Sequence, residues 1–266
     1  MGKKIRFLIM ALALIVFGAC AFIIYSARRN YRMEEEIYEK AAAEYVRPVS
    51  AEEGESSSLP DEAEGGAAGH APIEVDFEAL LAESADAVGW LYCEGTTINY
   101  PVVQGKDNTF YLHHNYSGEK QNSGAVFVDA DNRTGFQDAN TFVYGHYMND
   151  GSMFAVLRSW EEEGFYQEHP VMWLLTPEQD YKVVLFAGYN TVAGSETYSI
   201  FDNPGREFEA YLRFCAGKSD FETDVVLEGA KNCIVLSTCA LYTATDSRYV
   251  IHGILVPVDK PDITQD

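Results

Sequence analysis

The stretch Ile234–Gly253, IVLSTCALYTATDSRYVIHG, reads as two strands joined by a turn of small polar residues. Its first half is apolar and β-branched up to Ser237-Thr238-Cys239, and its second half resumes as an apolar run from Tyr249. Strand alternation puts Cys233, Val235, Ser237 and Cys239 on one face and Ile234, Leu236 and Thr238 on the other. Cys239 thus falls at the C-terminal end of a strand, where the backbone leaves the sheet. The loop from Ala240 to Ser247 is short enough to return Arg248 on a neighbouring antiparallel strand. A guanidinium so placed could serve a thiolate and a developing oxyanion, and the same spacing equally suits a surface ion pair.

Upstream, short apolar segments punctuated by Gly, Asn and Asp recur: Trp90–Cys93, Ile98–Val103, Gly124–Val128, Thr141–Tyr144, Val171–Leu175 and Tyr181–Tyr189. With Cys233–Thr238 and Tyr249–Val256 they make eight short strands, the pattern of a barrel or sandwich. Three helical segments accompany them: one capped by Asp76, one over Met153–Glu163, and one over Arg206–Lys218. With 47% hydrophobic residues, the 266-residue chain can bury a substantial core.

The N-terminal quarter differs. Phe7–Tyr25 is an uncharged apolar run of the length a membrane-spanning helix requires, with Lys and Arg on both flanks. It is long for a signal peptide and carries no clear small-x-small site. Phe17-Gly-Ala-Cys20 only loosely fits a lipoprotein box, because Phe17 stands where leucine is usual and the apolar run continues beyond it. Residues 1–29 are therefore expected to be an uncleaved anchor. Met33, Ile37 and Ala41 share one helical stripe, and Pro48–Pro72 is Glu, Ser, Gly and Ala with little to bury. Residues 30–72 are expected to be a helical stalk and flexible acidic linker, 73–259 a single folded domain, and 260–266 a tail. The net charge of −22 argues against a nucleic-acid partner, although much of it lies between Glu34 and Glu64.

The five cysteines show no zinc spacing, and Cys93, Cys215 and Cys233 sit among apolar residues as small hydrophobes would. Of six histidines, His146 is the best candidate for proton transfer. It follows an apolar strand directly, in the glycine-punctuated loop Gly145-His-Tyr-Met-Asn-Asp-Gly-Ser152. His113 and His114 read as surface residues, His70 as solvated, and His252 as packed within a strand. Asp129-Ala-Asp-Asn132 lacks the glycine and terminal glutamate of a calcium loop.

Leu236-Ser-Thr-Cys239 with Arg248 nine residues on, and Gly145-His146 upstream, resembles the signature of the sortases, membrane-anchored cysteine transpeptidases of Gram-positive bacteria. The segments VGWLYCEGTTINYPVVQGKDNTFYLHHNYSGEKQNSGAVFVD (88–129) and NTFVYGHYMNDGSMFAVL (140–157) are similar to class B sortases in order and spacing, as is the helix before the cysteine strand. The resemblance spans about Ile73 to Val258. It implies an eight-stranded β-barrel with peripheral helices, Cys239, His146 and Arg248 as catalytic positions, and no cofactor or metal. It further implies substrate contacts from Asn108, Leu112, Thr197, Tyr198, Ile200 and Ser237. Ala240 replaces the acidic residue that some members carry after the cysteine. The implied substrates are secreted proteins with an NPxTN- or NPxTG-like sorting signal, cleaved after Thr. The acceptor would be an amine of a lipid II-type peptidoglycan precursor or a pilin lysine. The protein would cross the cell membrane once through residues 7–25, with its catalytic domain outside. A hydrolytic cysteine peptidase and a non-enzymatic surface protein are the alternatives. The latter usually carries its own sorting signal, whereas this chain ends in VDKPDITQD.

Overall fold

The computed structural model describes residues 2–49, 70–239 and 247–260. They divide into two compact units, Met1–Lys40 and Ala41 onward. A helix, α1 (Lys3–Tyr45), runs through the first unit, and the large apolar side chains of its stretch Phe7–Tyr25 are exposed. It is the one described helix long and apolar enough to cross a membrane.

The second unit begins with the last turn of that helix. It continues through β1 (Val46–Pro48), β2 (Ile73–Val75), α2 (Phe77–Glu83), β3 (Ala87–Tyr92), β4 (Asn99–Val103), β5 (Val126–Val128) and β6 (Asn140–Gly145). There follow α3 (Phe165–Glu168), β7 (Val171–Leu175), β8 (Asp180–Val192), α4 (Arg206–Ala216), β9 (Cys233–Cys239) and β10 (Ser247–Val258). All eight strands expected from the sequence form, and they close into one barrel in the order β10-β8-β7-β3-β4-β5-β6-β9. Closure leaves no sheet edge to protect. Asp76 caps α2 as expected, its carboxylate accepting from the Ala79 amide at 3.0 Å. The expected helix over Met153–Glu163 is instead a 3₁₀ segment, Phe154–Glu161, which buries Phe154, Leu157 and Trp160.

Two pairings in this barrel are parallel, β4 with β5 and β6 with β9. The second of these decides where the chemistry sits. Because β6 and β9 run the same way, both end at the same rim, in a register that sets Gly145 beside Thr238. Outside the barrel, α4 lays Phe208, Tyr211, Leu212 and Cys215 onto β6, β8, β9 and β10, a spacing that lines one helical face. On the far side of β9, β10 passes through a register shift at His252/Gly253, where a Cβ on Gly253 would stand 2.4 Å from Val183.

The folded unit starts earlier than composition suggests. β1 pairs antiparallel with β2, Val46 opposite Val75 and Pro48 opposite Ile73. The Asp76 amide donates to the Tyr45 carbonyl at 2.8 Å, and the Tyr45 ring meets Tyr116 edge-on. Tyr45 and Ala41 are both buried. The boundary therefore moves from Ile73 back to Ala41, and the linker expectation narrows to residues 50–69, which lie outside the described residues. A chain beginning at Ile73 should be less stable than one beginning at Ala41 by about 2 kcal/mol or more, the scale of one lost buried aromatic side chain. Urea denaturation of the two would show it, and equal midpoints would mean that the β1 strip contributes nothing.

Candidate active site

The site forms where β6, β9 and β10 reach one rim. One residue beyond the Gly145–Thr238 rung stand His146, just past the end of β6, and Cys239, the last residue of β9. Across the next, antiparallel pairing, the Cα of Cys239 is directly opposite that of Arg248. Three residues separated in sequence thus come to the ends of three adjacent strands.

His146 is held from several directions. Its Nε2 lies 2.8 Å from the Leu112 carbonyl, and since a carbonyl only accepts, Nε2 carries the proton. Its own carbonyl accepts from the Phe154 amide at 3.0 Å. The loop then folds back through Met153, at φ 55°, whose amide donates to the Tyr100 hydroxyl. Gly145 has no room for a side chain: a Cβ would sit 2.7 Å from the Phe154 ring.

Beside this rim lies a cavity of about 420 Å³, bordered by Asn108, Leu112, Tyr144, Tyr198, Ile200 and Arg248 together with Phe127 and Asp129. Its polar wall is one hydrogen-bonded unit. Asp129 accepts from Asn108 Nδ2 at 2.9 Å and from the Tyr144 hydroxyl at 2.7 Å, while Asn108 Oδ1 accepts from the Ala130 amide at 2.8 Å. Burial, then the bond to Asp129 and its charge, pushes the Tyr144 phenol up, against the lowering effect of Arg248. Tyr144 therefore stays neutral and donates. Arg248 is half-buried, with Nη1 donating to the Ser247 carbonyl at 3.0 Å.

Of the expected substrate contacts, Asn108, Leu112, Tyr198 and Ile200 border this cavity and two residues do not. Thr197 is fully buried; its hydroxyl is shared with Tyr189 and Thr191, and its carbonyl accepts from Tyr211. The 3₁₀ turn Glu196–Tyr198 points it inward, so its side chain braces the loop and does not face the cavity. Ser237 is buried as well and exchanges a hydrogen bond with the Tyr198 hydroxyl at 2.8 Å, setting that ring. Tyr144 and Asp129 were not expected here. Tyr144 precedes His146 by two, and that spacing was the available signal. Asp129 could not be recognised without knowing that β5, which it follows, pairs beside β6. Ala240 lies outside the described residues.

Three other thiols, those of Cys93, Cys215 and Cys233, are buried and unsuited to nucleophilic chemistry. Burial pushes Cys93 and Cys215 each up to about 11 and raises Cys233 well above the usual thiol range. His252 is likewise interior, stacked on Tyr189, and burial lowers it to about 3. It is a core residue, as its strand position implied.

No family model matches the chain. Solved structures do match: sortase B from B. anthracis in complex with AAEK1 superposes with a TM-score of 0.69 at 28% identity, over 86% of this chain and 99% of that one. A Staphylococcus aureus sortase B–substrate complex gives a TM-score of 0.67 at 26% identity, over 88% and 98%. The fold is that of a sortase, an enzyme class of cysteine transpeptidases. Sortase B of Listeria monocytogenes serovar 1/2a (strain ATCC BAA-679 / EGD-e) is 37% identical over 185 residues, 69% of this chain and 75% of that protein. The chain belongs to the sortase B family.

Proposed function

We propose that Cys239, His146 and Arg248 carry out a transpeptidation on a sorting signal of a secreted protein, seated in the cavity beside the rim. The observation that supports this most is the double register, Gly145 beside Thr238 and Cys239 opposite Arg248, which brings the three backbones to one rim, where Arg248 borders the cavity. The substrate complex of the Staphylococcus aureus relative supports the class of ligand.

In this reading the Cys239 thiolate attacks the carbonyl carbon of the signal's threonine, forming a C–S bond. Arg248 stabilises the oxyanion as charge develops on oxygen. The tetrahedral species collapses, the C–N bond breaks, and the leaving amine takes a proton from cationic His146. Because Nε2 is engaged by Leu112, the nitrogen that exchanges protons with the reacting atoms is Nδ1. An acceptor amine then attacks the thioester and gives up a proton to His146. The new C–N bond forms as C–S breaks, which returns the thiolate. Asn108 and Tyr144, both bonded to Asp129, offer fixed polar contacts to the peptide, and Leu112 and Ile200 apolar ones. The signal is of the NPxTN or NPxTG kind, and the acceptor is a peptidoglycan-precursor amine or a pilin lysine. Residues 7–25 hold the enzyme in the membrane with its N-terminus inside, since substrate and lipid-linked acceptor both lie at the outer face.

Mass spectrometry of products from NPxTN, NPxTG and LPxTG peptides, with and without an amine acceptor, tests this. The expected result is an amide between the threonine and the added amine, with His146→Ala lowering turnover about 10²–10⁴-fold. Free threonine acid alone, at any amine concentration, would make the protein a hydrolase and overturn the transfer step.

A further inference from the structure

Leu112 takes part in the site twice. Its side chain borders the cavity, and its carbonyl accepts from His146 Nε2. It ends a three-residue 3₁₀ turn, Phe110–Leu112, too short to satisfy that carbonyl internally. Two residues outside the cavity set the turn. The exposed Asp107 begins it, one carboxylate oxygen accepting from the amides of Thr109 at 2.7 Å and Phe110 at 2.9 Å. Gly124 packs against its end at φ 58°, where a Cβ would lie 2.5 Å from the Tyr111 carbonyl oxygen and 2.9 Å from that of Leu112. Only glycine lets those carbonyls approach so closely.

We infer that Leu112 is the positioning residue for His146, its carbonyl fixing the ring with the proton on Nε2, and that Asp107 and Gly124 hold this carbonyl in place. A backbone oxygen thus takes the orienting part that a carboxylate plays in other triads. The arrangement has a further consequence. Peptide pressing on the Leu112 side chain bears on the same residue that aims the imidazole, so groove occupancy and proton transfer are coupled through one residue.

The inference rests on His146 being the proton-transfer group, and the test separates the two. The full chain in detergent is assayed for kcat and KM of peptide transfer, and its histidines are ¹⁵N-labelled to read the tautomer of neutral His146. Wild type should show the Nε2–H form. Gly124→Ala should mix the tautomers and lower kcat roughly 10–100-fold, the cost of misplacing a reacting group by about an ångström. Gly118→Ala is the control for left-handed strain, since Gly118 has φ +83° and nothing within 4 Å; it should keep wild-type kcat. Asp107→Ala, at an exposed position that folding tolerates, should reproduce the tautomer mixing with a smaller loss of kcat. Asp107→Asn, which keeps an acceptor oxygen, should restore both. If Gly124→Ala does not fold, the Asp107 pair decides. Wild-type kcat and an unmixed Nε2–H tautomer in the variants that fold, with His146→Ala inactive, would overturn this inference alone. An active His146→Ala would overturn the reading beneath it as well.

Discussion

Cys239→Ala should give a folded protein with no detectable peptide transfer, a loss on the order of 10⁴-fold or more, as expected when a nucleophile is removed. Among the other cysteines, Cys93, Cys215 and Cys233 are buried and their thiols are held protonated by that burial. Cys20 lies in the apolar stretch of α1. Cys233→Ala is the informative comparison, because it lies on the same strand six residues earlier and is wholly buried. It should retain turnover while losing on the order of 1 kcal/mol of stability, as a core truncation does. Alkylation by iodoacetamide, followed by peptide mapping, should modify the wild type at Cys239 and block it. Activity in Cys239→Ala, or its loss in Cys233→Ala without unfolding, would remove the assignment.

Arg248→Lys should lower kcat about 10²–10³-fold although the charge is kept. A guanidinium offers a planar fork of donors that can hold both a backbone carbonyl and an oxyanion, whereas an ammonium is a single, strongly hydrated point charge. Arg248 is also tied back by its own Nη1 to the Ser247 carbonyl, a bond that fixes the head group at the cavity wall. Steady-state kinetics with a fixed sorting peptide would show the loss in kcat more than in KM. Turnover near wild type in the lysine variant would reduce Arg248 to a cation at the cavity edge.

Much of this protein is legible in its sequence. Period-two apolar segments bounded by Gly, Asn and Asp marked all eight barrel strands, because a half-buried pleated surface demands that alternation locally. Asp76 announced its helix by a side chain that bonds only three residues away. The apolar run Phe7–Tyr25 needed no more than its length. The identities of Cys239, His146 and Arg248 as candidates came from local settings too: a strand end, a glycine-flanked loop, a strand start.

What the tertiary structure alone decided is non-local. No local pattern says that β6 and β9 run parallel, and it is that direction which brings His146 and Cys239 to one rim. The pairing of β1 with β2 joins residues across 24 intervening positions, so the composition of the acidic segment concealed that the folded unit begins at Ala41. Thr197 and Tyr198 are adjacent, yet one is buried beneath the loop and the other borders the cavity, because a 3₁₀ turn sends successive side chains in different directions. The acceptor for His146 is a backbone carbonyl, a group every residue carries, and only the fold of the Phe110–Leu112 turn selects that of Leu112. Side-chain chemistry is written residue by residue in a sequence. The choice of which main-chain atom meets which side chain is made by packing over long separations.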